Sequence, residues 1–303
     1  MTGSFVRRQL RASLTLPQDN FPGTNSNTLV LTGLRMSARI EQVGGGYNTC
    51  DLRIYGMRQA DMNAVTVVWL RNDGVQWDPS AQALLTLEAS TDTGGWTGVF
   101  TGQFIEGGPD YRALPDVCLS AQARVGYSQQ LTTPSPLSFS VSVDAATLAG
   151  LLAKQMGFAF ENNGVQAKLE KPYLSGSQMD QFRELAEAAP FDYYFTPGGG
   201  PNSTLGTIAI CPPNQGRQGK TPVPVNPQSG MVGYPTLQRY GVDVSVLFNQ
   251  GIDMASPIQI SGSTVPGADG AWFPFSAVHE LESIKPDGRW FSHLQCINFQ
   301  VSD

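Results

Sequence analysis

The sequence predicts a mainly β protein interrupted by one α/β unit. Three observations carry that expectation. Helical spacing of apolar residues is concentrated between Leu148 and Ala189. The chain on either side alternates apolar and polar residues in short segments cut by glycine, proline and asparagine. Charged residues make up only 15% of a composition that holds 33 glycines and 21 prolines, which favours a loop-rich β protein over a helical one. At 303 residues the chain has room for two or three domains and a substantial buried core.

Residues 9–16 alternate as a strand, and 17–27, with Asn20, Pro22, Gly23 and Asn25, form a turn-rich break. Residues 29–43 alternate again, with Met36, Ala38, Ile40 and Gln42 on one register. Gly44-Gly45-Gly46 then permits a reversal into a partner strand at 50–55; no helix start follows, so the triplet is not a phosphate cradle. Residues 65–71 are rich in β-branched side chains and are followed by the turn signal Asn72-Asp73-Gly74. Further strands are expected at 84–89, 98–106 and 118–127, separated by Thr93-Gly94-Gly95 and Gly107-Gly108-Pro109. Strands so regularly spaced suggest a barrel or sandwich, closing near Thr132.

Thr132-Thr133-Pro134-Ser135-Pro136 reads as a linker into a strand at 137–143. Leu148, Leu151, Leu152 and Met156 follow helical spacing, and Gly157 stands where a glycine would end the helix. Residues 158–169 alternate like two short strands joined at Asn162-Asn163-Gly164, whose last two residues signal a tight turn. Ser175 or Ser177 can cap a second helix, in which Asp180 adds negative charge to the first turn. Met179, Phe182, Leu185, Ala186 and Ala189 make its apolar stripe before Pro190. The expected unit is helix, hairpin, helix, with the aromatic run Phe191–Phe195 packed against it and a glycine-proline loop at 197–203. Asn202-Ser203-Thr204 matches a glycosylation acceptor by accident, given no secretion signal.

Residues 206–211 are expected to open a last β-domain, continued by strands at 242–249, 257–262, 271–281 and 290–301, with Pro286-Asp287-Gly288 turning the last hairpin. Gly219-Lys220-Thr221 copies the end of a phosphate-binding loop. The first motif glycine would fall at Asn214, however, and Pro222 and Pro224 impose extended backbone where a helix should start, which argues against nucleotide binding. The expected domains are therefore 1–132, 133–200 and 201–303.

Chemistry is hard to place on this chain. A net charge of −6 and the lack of a basic, aromatic-lined stretch argue against nucleic-acid binding. The densest basic group, Arg7, Arg8 and Arg11, reads as a solvated or interface-facing terminus. The opening MTGSFVRRQLRASLTL lacks the apolar run of a signal peptide, and no later run approaches a membrane span. Synthesis and assembly in a cytoplasm, with no stable membrane association, are expected. Cys50, Cys118, Cys211 and Cys296 are scattered without ligand spacing and read as reduced core or strand residues.

His279 and His293 are the only imidazoles, and both lie in strand-like segments. No GxSxG elbow accompanies them, and the SGS runs at 175–177 and 261–263 lack that context. Glu280 and Glu282 share one strand face and are the strongest carboxylate pair. Asp180, Glu184 and Glu187 have the spacing of a solvated helix face. Trp69, Trp77, Trp96, Trp272 and Trp290 are dispersed and read as core or interface residues. No catalytic, cofactor-binding or metal-ligating residue is assigned, and no cofactor is expected.

Several stretches carry a likeness to a known family. GFAFENNGV at 157–165, KPYLSGS at 171–177 and DQFRELAEAA at 180–189 resemble the central segment of baseplate hub proteins of contractile-tailed bacteriophages and related prophage tails. The resemblance continues in SGMVGYPTLQRYGVDVSVLFN at 229–249 and AVHELESIKPDGRWFSHLQC at 277–296. SLTLP at 13–17 and LRIYGM at 52–57, with Asp61-Met62-Asn63, fit the first barrel of such hubs. The resemblance implies a structural, non-enzymatic protein of the virion tail baseplate, assembled in the host cytoplasm and used in host cell penetration. It further implies two tube-like β-barrels bracketing the α/β unit, and three copies in a ring that approximates the sixfold tail tube. Implied partners are other copies of the chain, the tail tube or tube-initiator protein, the central spike, the tape-measure protein and other baseplate proteins, with DNA only in transit. A closed ring needs heterologous contacts, so exposed strand edges should be buried between neighbours. Its channel should be acidic or neutral, so that passing phosphates are not held. The alternative is a tail component that binds or hydrolyses envelope glycan; a secreted adhesin is disfavoured by the missing signal peptide.

Overall fold

The computed structural model describes residues 8–66, 82–90, 95–112, 114–197 and 205–298. Among them are 20 strands, four α-helices and one 3-10 turn, so the protein is mainly β. The chain divides into two compact units. The first comprises Met1–Ile40, Thr49–Ser128 and Glu280–Trp290; the second comprises Glu41–Asn48, Gln129–His279 and Phe291–Asp303.

In the first unit the strands are β1 (Gln9–Thr15), β2 (Thr28–Thr32), the start of β3 (Met36–Val43), β4 (Thr49–Tyr55), β5 (Leu84–Ser90), β6 (Thr97–Asp110) and β7 (Cys118–Arg124). Helix α1 (Gln59–Ala64) follows β4, and α2 (Tyr127–Leu131) follows β7. An antiparallel sheet runs β4-β7-β6-β5-β1-β2. Period-two alternation sorts its faces: Leu10, Ala12 and Leu14 of β1, and Cys50, Leu52 and Ile54 of β4, are buried, while Asp51 and Arg53 face out. The alternation over 29–43 is two strands, separated where Gly33 takes φ +69.

One expected turn is absent. Gly107-Gly108-Pro109 does not end a strand: β6 pairs with β7 as far as Asp110↔Cys118, after a register shift between Phe104 and Glu106. Glycine serves close approach here, since a Cβ on Gly107 would lie 3.2 Å from that of Ala121. Of the strand expected at 65–71, Val65 and Thr66 instead follow α1, and the rest lies outside the described residues, as do Asn72-Asp73-Gly74, Thr93-Gly94, Trp69 and Trp77.

The second unit holds β8 (Leu137–Ser138), β9 (Val143–Asp144), α3 (Ala145–Gln155), β10 (Ala159–Asn162), β11 (Lys168–Leu169), β12 (Tyr173–Leu174), α4 (Gln178–Ala188), β13 (Asp192–Thr196) and β14 (Thr207–Cys211). Then follow β15 (Val223–Val225), β16 (Thr236–Gln238), β17 (Gly241–Leu247), β18 (Ile258–Ile260), the 3-10 turn Pro266–Ala268, and most of β19 (Gly270–Ser283) and β20 (Trp290–Ile297). The Asp144 carboxylate caps α3 by accepting from the Thr147 N–H at 2.8 Å. Gly157, at φ +85, ends it: the Gly157 N–H donates to the Lys154 carbonyl and the Phe158 N–H to the Ala153 carbonyl, both in the pattern of a Schellman cap. Leu148, Leu152 and Met156 are buried with Ala145 and Ala149. Leu151 is not. It is 42% exposed, because at about 100° per residue it falls on the side of α3 away from that stripe.

Ser177 is the cap of α4, in a reciprocal box with Asp180. Met179, Phe182, Leu185 and Ala189 are buried and Ala186 is half-buried. The Phe182 ring meets Phe191 and Tyr193 edge-on, with centroids 6.1 and 5.3 Å away.

The expected hairpin between the helices does not form. β10 pairs in parallel with β14, and β11 pairs with β9 instead. The turn itself exists: the Asn162 Oδ1 accepts from the Gly164 and Val165 N–H groups, and Gly164 takes φ +100. Asn163 explains the divergence, because its backbone N–H and its Nδ2 both donate to the Ile210 carbonyl, and its Oδ1 accepts from the Gln218 N–H. These bonds tie the turn to β14 and send the chain away from β10. Gly164→Val is expected to lower stability by about 1 to 3 kcal/mol, since a β-branched residue is strained at positive φ. An unchanged urea midpoint would contradict this.

Strand β14, expected to open the last domain, is the centre of a three-stranded sheet β10-β14-β13. The outer edge of β13 is closed by the Gly45 N–H, which donates to the Tyr193 carbonyl at 2.9 Å, and by the Asn48 Nδ2, which donates to the Phe195 carbonyl at 2.8 Å. The glycine triplet therefore does more than reverse the chain. A Cβ on Gly44 would stand 2.6 Å from Tyr194 Cε1.

The remaining strands run β16-β17-β20-β19, with β18 on β19 and β15 in parallel on β18. Their core includes Val225, Val242, Val244, Ile258, Ile260, Trp272 and Leu294. The turn at Pro286-Asp287-Gly288 is present, with the Gly288 N–H donating to the Lys285 carbonyl. In neither unit does the strand order return to its starting strand among the described residues.

Candidate functional site

The two histidines have separate partners. His279 is buried in β19, with Nδ1 2.8 Å from Ser292 Oγ and Nε2 3.4 Å from Gln42 Oε1. Burial, with a smaller contribution from His293, lowers its pKa to about 4, so the ring is neutral near pH 7. His293 is exposed, and its Nδ1 lies 2.8 Å from Ser245 Oγ. Neither ring has a carboxylate to orient it among these bonds, as a nucleophile-activating base requires.

Glu280 and Glu282 do share a strand face, and both are held by cations. Arg289 Nη1 donates to the two oxygens of Glu280 at 3.0 and 3.1 Å. Glu282 accepts from Lys285 Nζ at 2.7 Å and from the Arg289 N–H at 2.9 Å. Burial pushes its pKa up, yet these two bonds and the neighbouring charges hold it below the ordinary value. A glycosidase acid needs the opposite shift. Of the helix carboxylates, Asp180 serves the α4 cap, Glu184 accepts from the Ser175 N–H, and Glu187 is exposed.

Arg11 reaches Glu88 through two bonds of 2.6 and 2.7 Å and lies over the Trp96 ring, in the first unit. Trp272 Nε1 donates to the Ala268 carbonyl, and Trp290 is buried. All four cysteines are free and buried, and burial pushes every thiol up, that of Cys211 to about 12. They are thus inert thiols. No group of three or more metal-ligating side chains comes together among the described residues.

The structure shows two polar clusters that the sequence did not suggest. In the first unit a depression of about 710 Å³ on the face of β3, β4, β6 and β7 is lined by Arg39, Arg53, Arg112, Asp51, Glu106 and Asp110. Three cations and three carboxylates leave it balanced. Arg112 holds Asp110 with two bonds and keeps its carboxyl well below the usual range, and Gln122 holds Asp51. In the second unit Arg217, whose side chain is 6% exposed, donates Nε and Nη2 to Glu161 at 2.9 and 2.6 Å, and Nη1 to Asp253. Its N–H also bonds the Ala255 carbonyl. This is a brace between β10 and the segment before β18. The sequence signal was obscured, because Arg217 lies in the phosphate-loop-like stretch, which carries no helix.

Glu187 apart, the candidate acids and bases named above are hydrogen-bonded or ion-paired within the protein, and the four thiols are buried, which is the pattern of a scaffold. A family model described as baseplate hub gp41 matches residues 10–287. The chain belongs to this family. As a baseplate hub protein it is a structural phage tail component and not an enzyme. Its fold is similar to that of the 43 kDa tail protein of prophage MuSo2 from Shewanella oneidensis, at TM-score 0.58 and 9% identity over 95% of this chain and 96% of that one. A tail protein from Neisseria meningitidis MC58 gives the same values. An Escherichia coli component of the type VI secretion system, described as structurally similar to the T4 bacteriophage tail proteins gp27 and gp5, matches at TM-score 0.62 and 7% identity, over 95% of this chain and 77% of that one. No curated protein matches the chain. No helix among the described residues is long and apolar enough to cross a membrane.

Proposed function

We propose that three copies of this baseplate hub protein form a ring that joins the tail tube to the central spike. The family match over residues 10–287 carries this reading. In it, tube-like β-barrel domains over 1–132 and 201–303 bracket the α/β region and approximate the sixfold symmetry of the tube. The likeness of one structural neighbour to gp27 and gp5 supports a spike partner. The tube or tube-initiator protein, the tape-measure protein and other baseplate proteins complete the set, in a virion baseplate built in the host cytoplasm and used in host cell penetration.

DNA passes through such a ring without being held. A net charge of −6 per chain and a polar depression of balanced charge both suit an acidic or neutral lumen. Light scattering or analytical ultracentrifugation at assembly concentrations should give three times the chain mass. A strictly monomeric protein that also fails to associate with tube and spike proteins would sink the proposal. Glu280→Gln and Glu282→Gln are expected to leave purified peptidoglycan as intact as the wild type does. Fragments released by the wild type and lost in either variant would replace this reading with a hydrolytic one.

A further inference from the structure

Several strand edges among the described residues carry a device that discourages further pairing. The outer edge of β13 is capped by Gly45 and Asn48, β15 carries Pro224, which cannot donate to a further strand, and β10 carries Glu161, held by Arg217. The two ends of the largest sheet, by contrast, hold neither a proline nor a charged residue among the described residues. In the first unit β2 ends the strand order with the uncharged run TLVLT, whose Val30 is 55% exposed. In the second unit β16 ends the order beyond β17, with Thr236, Leu237 and Gln238 all exposed.

The surroundings of β16 have interface composition. Of the thirteen large hydrophobic residues exposed among the described residues, five fall between 232 and 247: Val232, Tyr234, Leu237, Tyr240 and Leu247. Five of thirteen within a run of 16 residues in a chain of 303 is not the scatter of an ordinary surface. Residues 229–249 hold one arginine, one aspartate and no lysine or glutamate, the bias of interface cores. Both charges are engaged locally, Asp243 by Gln238 Nε2 at 2.9 Å and Arg239 over the Tyr240 ring at 5.0 Å.

We propose that β16 of one copy adds to β2 of the next, edge to edge, with Tyr234, Tyr240 and Leu247 buried beside the joint. The proposal rests on the ring reading above and names the surfaces that close it. The two edges are both uncharged, but they are different surfaces. A twofold dimer would pair each with itself and use only one kind of edge per contact. Head-to-tail joining consumes one of each per contact, so a closed ring leaves neither exposed. A short ladder of backbone bonds sets the register, and the tyrosines and leucines supply the desolvated area.

Chemical crosslinking tests this directly, because the four native cysteines are buried and unreactive. With a short bis-maleimide, the double variant Val30→Cys/Leu237→Cys should give a ladder ending at three copies. Each single variant alone should give no product, and an equal mixture of the two should stop at dimers. Dimers from a single variant would overturn the proposal in favour of a twofold contact. Trimer mass in solution without any crosslink would overturn the edge assignment and leave the ring standing, whereas a monomer by mass that fails to crosslink sinks both. As an independent readout, Val30→Lys and Leu237→Lys should each weaken association roughly tenfold or more, with far-ultraviolet circular dichroism and melting midpoint unchanged. Association equal to wild type in both would refute the pairing.

Discussion

Phe182→Ala should lower stability by about 3 to 5 kcal/mol, and with it the yield of assembled protein. Phe182 is fully buried on α4 and touches rings on two sides, with centroids at 6.1 Å to Phe191 and 5.3 Å to Tyr193. Truncation removes the transfer energy of the ring and leaves a cavity walled by Phe191, just before β13, and Tyr193 within it. These cannot collapse inward without breaking the pairing of β13 with β14. Leu151→Ala is the internal control. Its side chain leaves the apolar stripe of α3, so the change should stay within roughly 0.5 kcal/mol. Urea titration followed by tryptophan fluorescence and circular dichroism would read both. Equal midpoints for Phe182→Ala and wild type would show that the core of this region lies elsewhere.

The contrast between those two residues shows what the sequence could reveal. Local signals were legible: the glycine that ends α3, a serine cap at 175 or 177 with Asp180 in the first turn of α4, and the turn at Gly164 each depend on residues within a few positions, and the structure selects Ser177. Period-two alternation likewise marked the buried faces of β1, β3 and β4. Partner choice was not legible. The pairing of β10 with β14 joins residues nearly fifty positions apart, and what decides it is Asn163 binding the Ile210 carbonyl, a contact that neither segment announces by itself. Gly107-Gly108-Pro109 carried a turn signal that a long antiparallel partner overrode. Among the carboxylates, spacing drew attention to Glu280 and Glu282, yet the cations that neutralise them come from the turn that follows. The Arg217 brace gathers three segments, and only folding brings Glu161 and Asp253 to one guanidinium.

That brace gives the second large effect. Arg217→Met keeps most of the aliphatic bulk and removes the guanidinium, leaving two carboxylates facing each other with their partner gone. Removing one side of a fully buried pair costs several kcal/mol. Glu161 and Asp253 keep about a third of their side-chain surface in water, which softens the penalty to roughly 2 to 3 kcal/mol at neutral pH. The loss should depend on pH in a definite direction. Hydrogen bonding from Arg217 is the largest cause holding the Glu161 carboxyl below its ordinary 4.5, against an opposing effect of burial. A carboxylate with a depressed folded pKa contributes stability above its unfolded value, and that contribution fades as the pH falls through the folded one, because the unfolded chain binds the proton first. The gap between wild type and Arg217→Met should therefore be widest near pH 7 and narrow steadily below about pH 4.5. Glu161→Gln added to Arg217→Met should recover part of the neutral-pH loss by removing one stranded charge. Urea midpoints across pH 3 to 7 would measure all of this. A gap that stayed constant on acidification would mean that Arg217 acts by packing alone, and the ionic brace would have to be abandoned.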